Sequence, residues 1–400
     1  MSSCLVCCGE LIPFLDLGMQ PSANRFLTKK NLNDEEYKYS LRVGLCSNCT
    51  MIQTLERPRK EEMFNDDYAY FTSSNAPMVN HFQEYAERVK SNFLNKSSVV
   101  VEVGSNDGVF LRHFSDYKHI GFEPSANVAE IAREKGVNCV CEFFNIENAL
   151  RELESFGKAD FVFIANVIGH VEELTIILQG VKACLSDKGQ FVFEIYYLPE
   201  MLKRGTFDLI YDEHIFYYTL LNFNITLNRY GLELFDVEFI PVHGGSIRGY
   251  VSHLDAYEKS ETLLKRIEEE RSKSLDTIAP LNKFAVKVAK IKDDLSSLVV
   301  GLKQQGHKIA GYGATAKSTT LLNYCDLTNN EIDYVVDSTP FKQGKYTPGS
   351  HIPILPEDEF TNNPPDYTIL FAWNYQDAIM KKQEGYSGKW IFIHPEVKAI

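Results

Sequence analysis

The sequence has no apolar run that approaches the roughly 20 residues needed to span a bilayer. Its first residues carry neither a basic nor an apolar stretch, so we expect no signal peptide and a cytoplasmic protein. Positive charge is also scarce, because 41 Lys and Arg stand against 54 Asp and Glu, a net charge of −13. Since nucleic-acid surfaces need clustered Lys and Arg, we expect neither nucleic acid nor a membrane as partner.

Cysteine is present in an uneven pattern. Five of the nine cysteines precede residue 50, and four of these form two Cys-x-x-Cys pairs, Cys4 with Cys7 and Cys46 with Cys49. Two such pairs match the tetrahedral shell of zinc, and four thiolates leave no open position, so the metal is expected to be structural. Cys8 adjoins the first pair and could shift the ligand assignment by one position. Unrelated buried thiols and a redox pair are the alternatives, and the second is weaker because neither pair opens a helix after a strand.

The order of predicted elements defines three units. Residues 1–66 are rich in loops and hold too little core to fold alone, so a bound metal is physically expected. Over 67–240, alternating strands and helices predict a doubly wound parallel sheet. Over 241–400, a charged heptad-like stretch predicts two helices divided by Pro280, and a second α/β pattern follows. The fold class is therefore α/β, with a zinc-binding module, a central Rossmann-like domain and a C-terminal Rossmann-like domain.

Hydrophobic periodicity places the individual elements. Strands are predicted at 98–103, 119–122, 161–165, 190–195, 308–311, 334–337, 368–372 and 390–394. Helices are predicted at 75–97, 108–114, 127–134, 174–185 and 318–324.

A strand that runs into the turn 102–108 is the first candidate site. Gly104 allows the turn and the approach of a ligand, and an acidic residue shortly before it favours S-adenosylmethionine, which has no pyrophosphate to bind. Glu123 ends the next strand, about twenty residues on, where ribose hydroxyls bind in such folds. A plain sheet turn is the alternative. The candidate cofactor-binding residues are Glu102, Gly104, Ser105, Asn106, Gly108, Glu123, Pro124 and Asn166.

Two polar segments are candidates for the chemistry. The first, 211–214, places Glu213 beside His214 just before an aromatic run, and a carboxylate next to an imidazole can move protons near neutral pH. Its alternative is a surface turn. The second, 67–74, carries aromatic side chains followed by hydroxyls, which either line a sugar pocket or tie down a linker.

The chain resembles the bacterial sugar C-methyltransferases, in which the same motifs occur in the same order. This resemblance covers essentially the whole chain and implies a zinc module, a central class I methyltransferase domain that binds S-adenosylmethionine, and a C-terminal domain that helps to hold a nucleotide sugar. The motifs are the two cysteine pairs, the 102–108 loop, Tyr211-x-Glu213-His214, His243-Gly244-Gly245-Ser246-x-Arg248 and Gly311-Tyr312-Gly313-Ala314-x-Ala316-Lys317.

The resemblance also implies roles for single residues. His214 would be the general base, oriented by Glu213 and flanked by Tyr211, while His170 and Tyr70 would support the enolate oxygen or the sugar. Which of the two histidines is the base stays open. In the implied reaction a 4-keto group acidifies the proton on C3, the base removes it, and the enolate takes the methyl group of S-adenosylmethionine.

Residues expected to hold the nucleotide sugar come from several places. The glycine turn that ends at Lys317 precedes a helix and suits a diphosphate, and Asp337 ends the following strand, where NAD domains bind ribose. A packing turn without a ligand is the alternative. Arg248 offers charge for a phosphate or belongs to a surface strand. The full set is Ser73, Ser74, Arg248, Gly313, Ala314, Lys317, Ser318 and Asp337.

Two other functions are alternatives to this one. An NAD-dependent sugar oxidoreductase would need a Tyr-x-x-x-Lys pair or a catalytic thiol in the right context, which the sequence lacks. A non-catalytic zinc and nucleotide scaffold would not need the joint presence of Glu102, Gly104 and His214. We therefore expect a monomeric S-adenosylmethionine-dependent C-methyltransferase with structural zinc, acting on C3 of a nucleotide-linked 4-ketosugar, with dTDP or GDP as the nucleotide.

Overall fold

The computed structural model describes residues 3–58 and 71–400. Its strands form three sheets. In chain order the strands are β1 (Leu11–Pro21), β2 (Lys38–Cys46), β3 (Ile52–Thr54), β4 (Val99–Val103), β5 (Lys118–Phe122), β6 (Cys139–Val140), β7 (Ala159–Ala165), β8 (Leu185–Tyr196), β9 (Phe216–Tyr217), β10 (Leu232–Ile240), β11 (Ser246–His253), β12 (Ile309–Tyr312), β13 (Tyr334–Asp337), β14 (Ile354–Pro356), β15 (Tyr367–Leu370), β16 (Lys389–Phe392) and β17 (Lys398–Ala399).

Helices cover the faces of these sheets. The α-helices of the described residues are α1 (Ala76–Asn92), α2 (Ala126–Glu134), α3 (Ile146–Leu153), α4 (Leu174–Cys184), α5 (Leu198–Arg204), α6 (Leu220–Asn228), α7 (Glu261–Ser272), α8 (Ile278–Gln304), α9 (Ala316–Tyr324), α10 (Glu359–Asn362) and α11 (Gln376–Lys382). Short 3-10 turns occur at Thr72–Ser74, Leu111–Phe114, Phe207–Leu209, Val242–Gly244 and Trp373–Tyr375, as well as at Lys29–Asn31. In the described part of the chain, none of the helices has the length and hydropathy that crossing a bilayer requires.

The N-terminal sheet has the order β1-β2-β3-β9 and is antiparallel. Its last strand belongs to the central unit in sequence and begins two residues after His214. Ile52 of β3 pairs with Tyr217 of β9, and the Thr54 amide donates to the Ile215 carbonyl over 2.9 Å. The zinc-binding module is therefore completed by the strand that follows one of the candidate catalytic segments.

The central sheet has the order β10-β11-β8-β7-β4-β5-β6. The five strands from β8 to β6 are parallel, which confirms the doubly wound prediction, and β11 runs antiparallel to β8. The sheet continues to residue 253, past the boundary at 240 that the sequence suggested. The predicted helix at 108–114 is wrong: only the 3-10 turn Leu111–Phe114 forms there. In this sheet the strand order reverses between β4 and β7, where ligands bind in doubly wound folds.

The C-terminal sheet has the order β14-β13-β12-β15-β16-β17, parallel except for its last strand, so its order reverses between β12 and β15. The two predicted helices before it form as α7 and α8, but they separate at 273–277 and not at Pro280. Pro280 lies in the first turn of α8, where a missing N–H removes no intrahelical hydrogen bond. The residue that breaks the pair is Ser274, with a left-handed φ of 52°.

Candidate active site

The four cysteines of the two predicted pairs come together in one cluster. Their sulfur atoms all lie within 4.8 Å of one another, with Cys4 Sγ 3.6 Å from Cys49 Sγ and Cys7 Sγ 3.4 Å from Cys46 Sγ. A tetrahedral zinc with bonds of about 2.3 Å requires sulfur separations of about 3.8 Å, so the cluster is close to that shape. Cys8 is exposed at a φ of 59° and stands outside the cluster, so the four candidate ligands are Cys4, Cys7, Cys46 and Cys49.

Backbone amides surround the sulfurs. The Val6 amide donates to Cys4 Sγ over 3.4 Å, and the amides of Asn48 and Cys49 donate to Cys46 Sγ over 3.4 and 3.5 Å. These N–H groups stabilise thiolates in preference to thiols, because they bring partial positive charge to the sulfur. The donor set and its surroundings therefore fit zinc.

The predicted cofactor loop lies where the central sheet reverses its order. Gly104 has a φ of 70°, and a Cβ there would collide with the side chain of Val167, which follows β7. The amide of Gly104 donates to the Phe122 carbonyl over 2.8 Å, so the loop is held against the end of β5. Asn166 also has a left-handed φ, of 56°, at the end of β7. Gly104 and Asn166 thus border one crevice.

Two carboxylates lie beside this crevice. Glu102 is 5% exposed, burial raises its pKa, and its Oε2 atom has no hydrogen-bond partner among the described residues. Glu123 accepts hydrogen bonds from the amides of Asn106 over 3.1 Å and Ser125 over 2.9 Å. A buried unpaired carboxylate oxygen is uncommon in proteins and marks a place where a polar ligand group can bind. The loop therefore fits a nucleoside cofactor.

Not every predicted cofactor residue faces the crevice. Ser105 is buried, and its hydroxyl lies 3.6 Å from Cys139 Sγ. The Pro124 carbonyl accepts from Cys141 Sγ over 3.6 Å. Gly108, also at positive φ, packs its backbone against Val137. These three positions shape the loop.

The 3-10 turn Thr72–Ser74 packs on the same loop. Both the amide and the hydroxyl of Thr72 donate to Asn106 Oδ1, over 2.9 and 3.1 Å. The Ser73 amide donates to Asp107 Oδ1 over 3.4 Å, and the Ser74 hydroxyl donates to the Phe71 carbonyl over 2.7 Å. Ser73 and Ser74 are thus tied to the cofactor loop and to their own turn. Tyr70, the predicted partner in this segment, lies outside the described residues.

His214 lies at the centre of a cluster of rings. Its Nδ1 lies 2.5 Å from the Leu209 carbonyl oxygen, which can only accept, so Nδ1 carries the proton and Nε2 is left as an acceptor. Its ring centroid lies 4.0 Å from that of Tyr211, 4.4 Å from that of Tyr196 and 4.8 Å from that of His170. The structure therefore brings together three of the predicted catalytic side chains.

The imidazoles of this cluster are neutral at physiological pH. Burial, followed by the charge that His170 would carry, holds the pKa of His214 well below its usual range. Burial lowers the pKa of His170 to about 4, and burial together with Lys317 lowers the pKa of His243 to about 4. A neutral imidazole can accept a proton without first losing one.

The expected contact between Glu213 and His214 is absent from the described residues. Glu213 Oε1 accepts from Asn24 Nδ2 over 2.8 Å, and the neighbouring Asp212 accepts from the Ala23 amide over 3.0 Å. Both carboxylates therefore point to the zinc-binding module. The group that orients His214 is the Leu209 carbonyl, which sequence motifs cannot identify because every residue has one.

Lys317 reaches the cluster from the C-terminal unit. Its ammonium group bonds to Asn374 Oδ1 and lies 4.5 Å from the centroid of the Trp373 ring. Burial lowers the pKa of Lys317 to about 8, so it is a cation at neutral pH, and its charge helps to lower the pKa of His214. The Trp373 indole donates to the buried Asp208 over 2.6 Å, which fixes the ring beneath the ammonium group.

In the rest of the predicted diphosphate turn, three backbone amides donate to side chains of this unit. The Ala314 amide donates to Asp337 Oδ2 over 2.8 Å, the Thr315 amide to Ser318 Oγ over 2.9 Å, and the Ser318 amide to Thr315 Oγ1 over 3.1 Å. A Cβ on Gly313, at a φ of 95°, would lie 2.8 Å from the Cβ of Ala372. The glycine of this turn thus serves packing, and the amides of Ala314, Thr315 and Ser318 already have partners.

Arg248 is also placed differently from the prediction. It lies on β11 with 4% of its side chain exposed, donates twice to Glu194 Oε1, over 2.7 and 2.5 Å, and once to Glu238 over 2.8 Å. Its guanidinium also lies 3.5 Å from the Tyr85 ring centroid. Since its charge is neutralised inside the sheet, Arg248 is a structural residue and does not face a phosphate.

Sequence reasoning did not assign several residues of this site. His243 stood in a recognised motif but received no role, and Trp373 and Asn374 follow β15 at the reversal point of the C-terminal sheet. The signal that could have identified Trp373 and Asn374 is that one of the chain's two tryptophans stands beside an asparagine at the end of a strand. Tyr196 and Asp208 gave no signal, since aromatic and acidic residues near strand ends are common.

Comparison with known proteins gives the class of the chain. A methyltransferase domain model matches residues 79–237, a model for the C-methyltransferase C-terminal domain matches 241–395, and a zinc binding domain model matches 4–64. The central unit is therefore an S-adenosylmethionine-dependent methyltransferase domain, and the cysteine cluster lies in the zinc-binding part.

Relatives narrow the class to a family. C-methyltransferase NovU of Streptomyces niveus is 30% identical over 408 residues, which cover 100% of this chain and 97% of that protein. The chain thus belongs to the C-methyltransferase family. Two solved structures are more distant. The CcbJ methyltransferase of Streptomyces caelestis is 16% identical with a TM-score of 0.35, and the match covers 47% of this chain and 94% of that one. The Synechocystis magnesium protoporphyrin IX methyltransferase ChlM with bound SAM is 13% identical with a TM-score of 0.32, and the match covers 48% of this chain and 88% of that one. These TM-scores are too low to support an argument.

Proposed function

We propose that this C-methyltransferase acts on C3 of a nucleotide-linked 4-ketosugar, with dTDP or GDP as the nucleotide. The observation that carries the proposal is the neutral His214 imidazole, whose Nδ1 is held by the Leu209 carbonyl and whose Nε2 is free to accept. Methylation of carbon requires a carbanion, and a hydrogen next to a ketone is acidic enough for a side-chain base to remove it.

In this proposal His214 Nε2 takes the proton from C3. The packing of its ring between Tyr211 and Tyr196 keeps it in one orientation, so that little reorganisation precedes proton transfer. His170, whose ring is tilted against it, would donate an N–H to the oxygen that becomes negative on C4. The low pKa of His170 keeps its imidazole neutral, so it adds no positive charge beside the base.

Lys317 supplies positive charge for the substrate. The chain has a net charge of −13, so an anionic nucleotide sugar needs a local cation, and the ammonium group of Lys317 is fixed over Trp373 close to the imidazoles. We assign it to the diphosphate. Since the amides of Ala314, Thr315 and Ser318 already have partners, Lys317 is the member of the turn to which we assign this role.

The cofactor crevice is formed by Gly104, Asn166 and the two carboxylates Glu102 and Glu123. When bound there, S-adenosylmethionine supplies an electrophilic methyl group. Glu123 would accept from the ribose hydroxyls, and Glu102 keeps a buried oxygen without a hydrogen-bond partner on the strand that leads into the loop. A side chain at position 104 would collide with Val167, so the loop keeps its close approach only with glycine.

The test begins with titration of the protein by S-adenosylhomocysteine and, separately, by NADH. Purified enzyme is then incubated in D₂O with S-adenosylhomocysteine and a panel of dTDP- and GDP-linked 4-ketosugars, and deuterium at C3 is measured by NMR. We expect exchange with the wild type and a loss of about 10²–10⁴-fold for His214→Asn, which keeps the size of the side chain but cannot act as the base. Equal exchange in both proteins would exclude His214 as the base.

The same titrations separate the alternatives. Binding of NADH without S-adenosylhomocysteine would favour an oxidoreductase. Binding of neither, with zinc still present, would favour a non-catalytic scaffold.

A further inference from the structure

The end of β1 and the residues after it meet the 211–214 segment. The Ala23 amide donates to Asp212 Oδ2 over 3.0 Å, and Asn24 Nδ2 donates to Glu213 Oε1 over 2.8 Å. Ala23 is buried and Asn24 is exposed, so the first contact is enclosed by the fold and the second closes it from the solvent side. Two consecutive carboxylates of the central unit are thus held by consecutive residues of the zinc-binding module.

The same short segment touches the third unit. The Ala23 carbonyl accepts from the Thr319 hydroxyl over 2.8 Å, and Thr319 lies on α9 two residues after Lys317. All three units therefore meet at Ala23.

Ile215, the residue after His214, fixes the other end of the segment. The Ile215 amide donates over 2.7 Å to the carbonyl of Gly169, which precedes His170. The Ile215 carbonyl accepts from Thr54 of β3. His214 is therefore held between two attachments, one to the module through Asp212 and Glu213, and one to β3 and the His170 loop.

Without the Ala23 amide and Asn24 as donors, two adjacent buried carboxylates would be energetically unfavourable. Asp212 is 4% exposed, and burial, followed by the charge of Glu213, raises its pKa to about 7. Burial also raises the pKa of Glu213, and Asn24 opposes that rise. The titratable group that faces the pair from another element is Tyr39 of β2, whose own pKa is raised by burial and then by the charges of Asp212, Tyr37 and Glu213.

We propose that Asn24 and the Ala23 peptide are positioning elements of the active site, through which the zinc-binding module fixes the charge and place of the Asp212–Glu213 pair and so the position of His214. The proposal rests on the proposed function for its catalytic part. It gives the module a role in catalysis in addition to stability, and it makes Asn24 a positioning residue that does not touch the substrate.

The first readout needs no substrate. Melting temperatures of Asn24→Ala and of Asn33→Ala, a matched exposed asparagine of the same module, are compared between pH 5 and pH 8.5. Because Asn24 stabilises the ionised form of Glu213, its loss matters only where that form is populated. We expect the two variants to coincide at pH 5 and Asn24→Ala to melt about 2 °C lower at pH 8.5. A difference that does not change with pH would overturn the proposal.

The second readout is the pH profile of turnover on the nucleotide sugar. For Asn24→Ala we expect the acidic limb of the profile to shift to higher pH by about half a unit and kcat at pH 6.5 to fall severalfold. KM and S-adenosylhomocysteine binding should stay within twofold of the Asn33→Ala control. A pH-dependent melting difference with an unchanged profile would show that the pair titrates without positioning His214, and would also overturn it. If the wild type turns over no ketosugar, the proposed function fails, while the melting comparison still decides whether the module sets the charge of the pair.

Discussion

Replacing Arg248 by methionine should destabilise the protein and leave substrate affinity intact. Arg248 is the main partner of Glu194, whose side chain is 1% exposed, and it also bonds to Glu238 and stacks on Tyr85. Removing one member of a buried ion pair leaves the other charge uncompensated, at a cost of about 3–5 kcal/mol. His81 Nε2, 2.7 Å from Glu194, remains as a second partner of the carboxylate, so we expect about 3 kcal/mol, the lower end of this range.

The pH dependence of this cost has a definite sign. Burial alone would raise the pKa of Glu194, but His81 and Arg248 outweigh it and hold the pKa below its usual range. This contribution to stability is therefore present above the pKa of an unfolded carboxyl and is lost as the pH falls. In Arg248→Met the Glu194 pKa rises, so protonation relieves the buried charge, and the penalty should be smaller at pH 5 than at pH 8.

The assay is urea unfolding of four proteins: the wild type, Arg248→Met, Glu194→Gln and the double variant. We expect the double variant to be more stable than Arg248→Met, because the unpaired charge is gone, and the cycle gives the coupling between the two residues. Binding of the nucleotide sugar should be unchanged in Arg248→Met. Unchanged stability together with weaker sugar binding would refute this reasoning and restore the phosphate role that the sequence suggested.

Three further substitutions test other parts of the site. Cys46→Ser should bind less zinc than the wild type and lower Tm by about 10 °C, whereas Cys8→Ser should change neither, as metal analysis and calorimetry would show. Equal effects would place Cys8 in the shell. Lys317→Met should raise KM for the nucleotide sugar about 10–100-fold with unchanged S-adenosylhomocysteine binding, and the exposed Lys381→Met is its kinetic control. Glu123→Gln should weaken S-adenosylhomocysteine about tenfold by calorimetry, and unchanged affinity would exclude the ribose contact.

The sequence predicted most of the inner strands of the two larger sheets because these strands carry strong local signals. The buried strands β4, β7 and β8 each contain at least three consecutive apolar residues, and their predicted ranges overlap the observed ones. Among the strands that were not predicted are β9, β10 and β11. The two residues of β9 are too short for any period, and β11 is buried along almost its whole length, so it lacks the alternation expected of an antiparallel strand.

The sequence indicates candidate side chains where the chemistry depends on residue type, but it cannot show their placement. The four cysteines, which the structure brings together, and His214 are side chains that few other roles require. Arg248 was misassigned because a sequence cannot show that Glu194, 54 positions away, occupies its guanidinium. The hydrogen bond of Glu213 to Asn24 spans 189 positions and joins two units, so no local pattern reports it.

The two Rossmann-like units show why a glycine turn is an ambiguous sign of a binding site. Gly104 and Gly313 both lie where a sheet reverses its order, and at both a Cβ would strike the loop after the neighbouring strand. Beside the first, Glu102 keeps an unpaired oxygen; beside the second, Asp337 takes the free amide of the turn. Since the glycine serves close packing in both places, a glycine turn does not by itself identify a binding site. In the proposed function the second unit contributes Lys317 as the local cation.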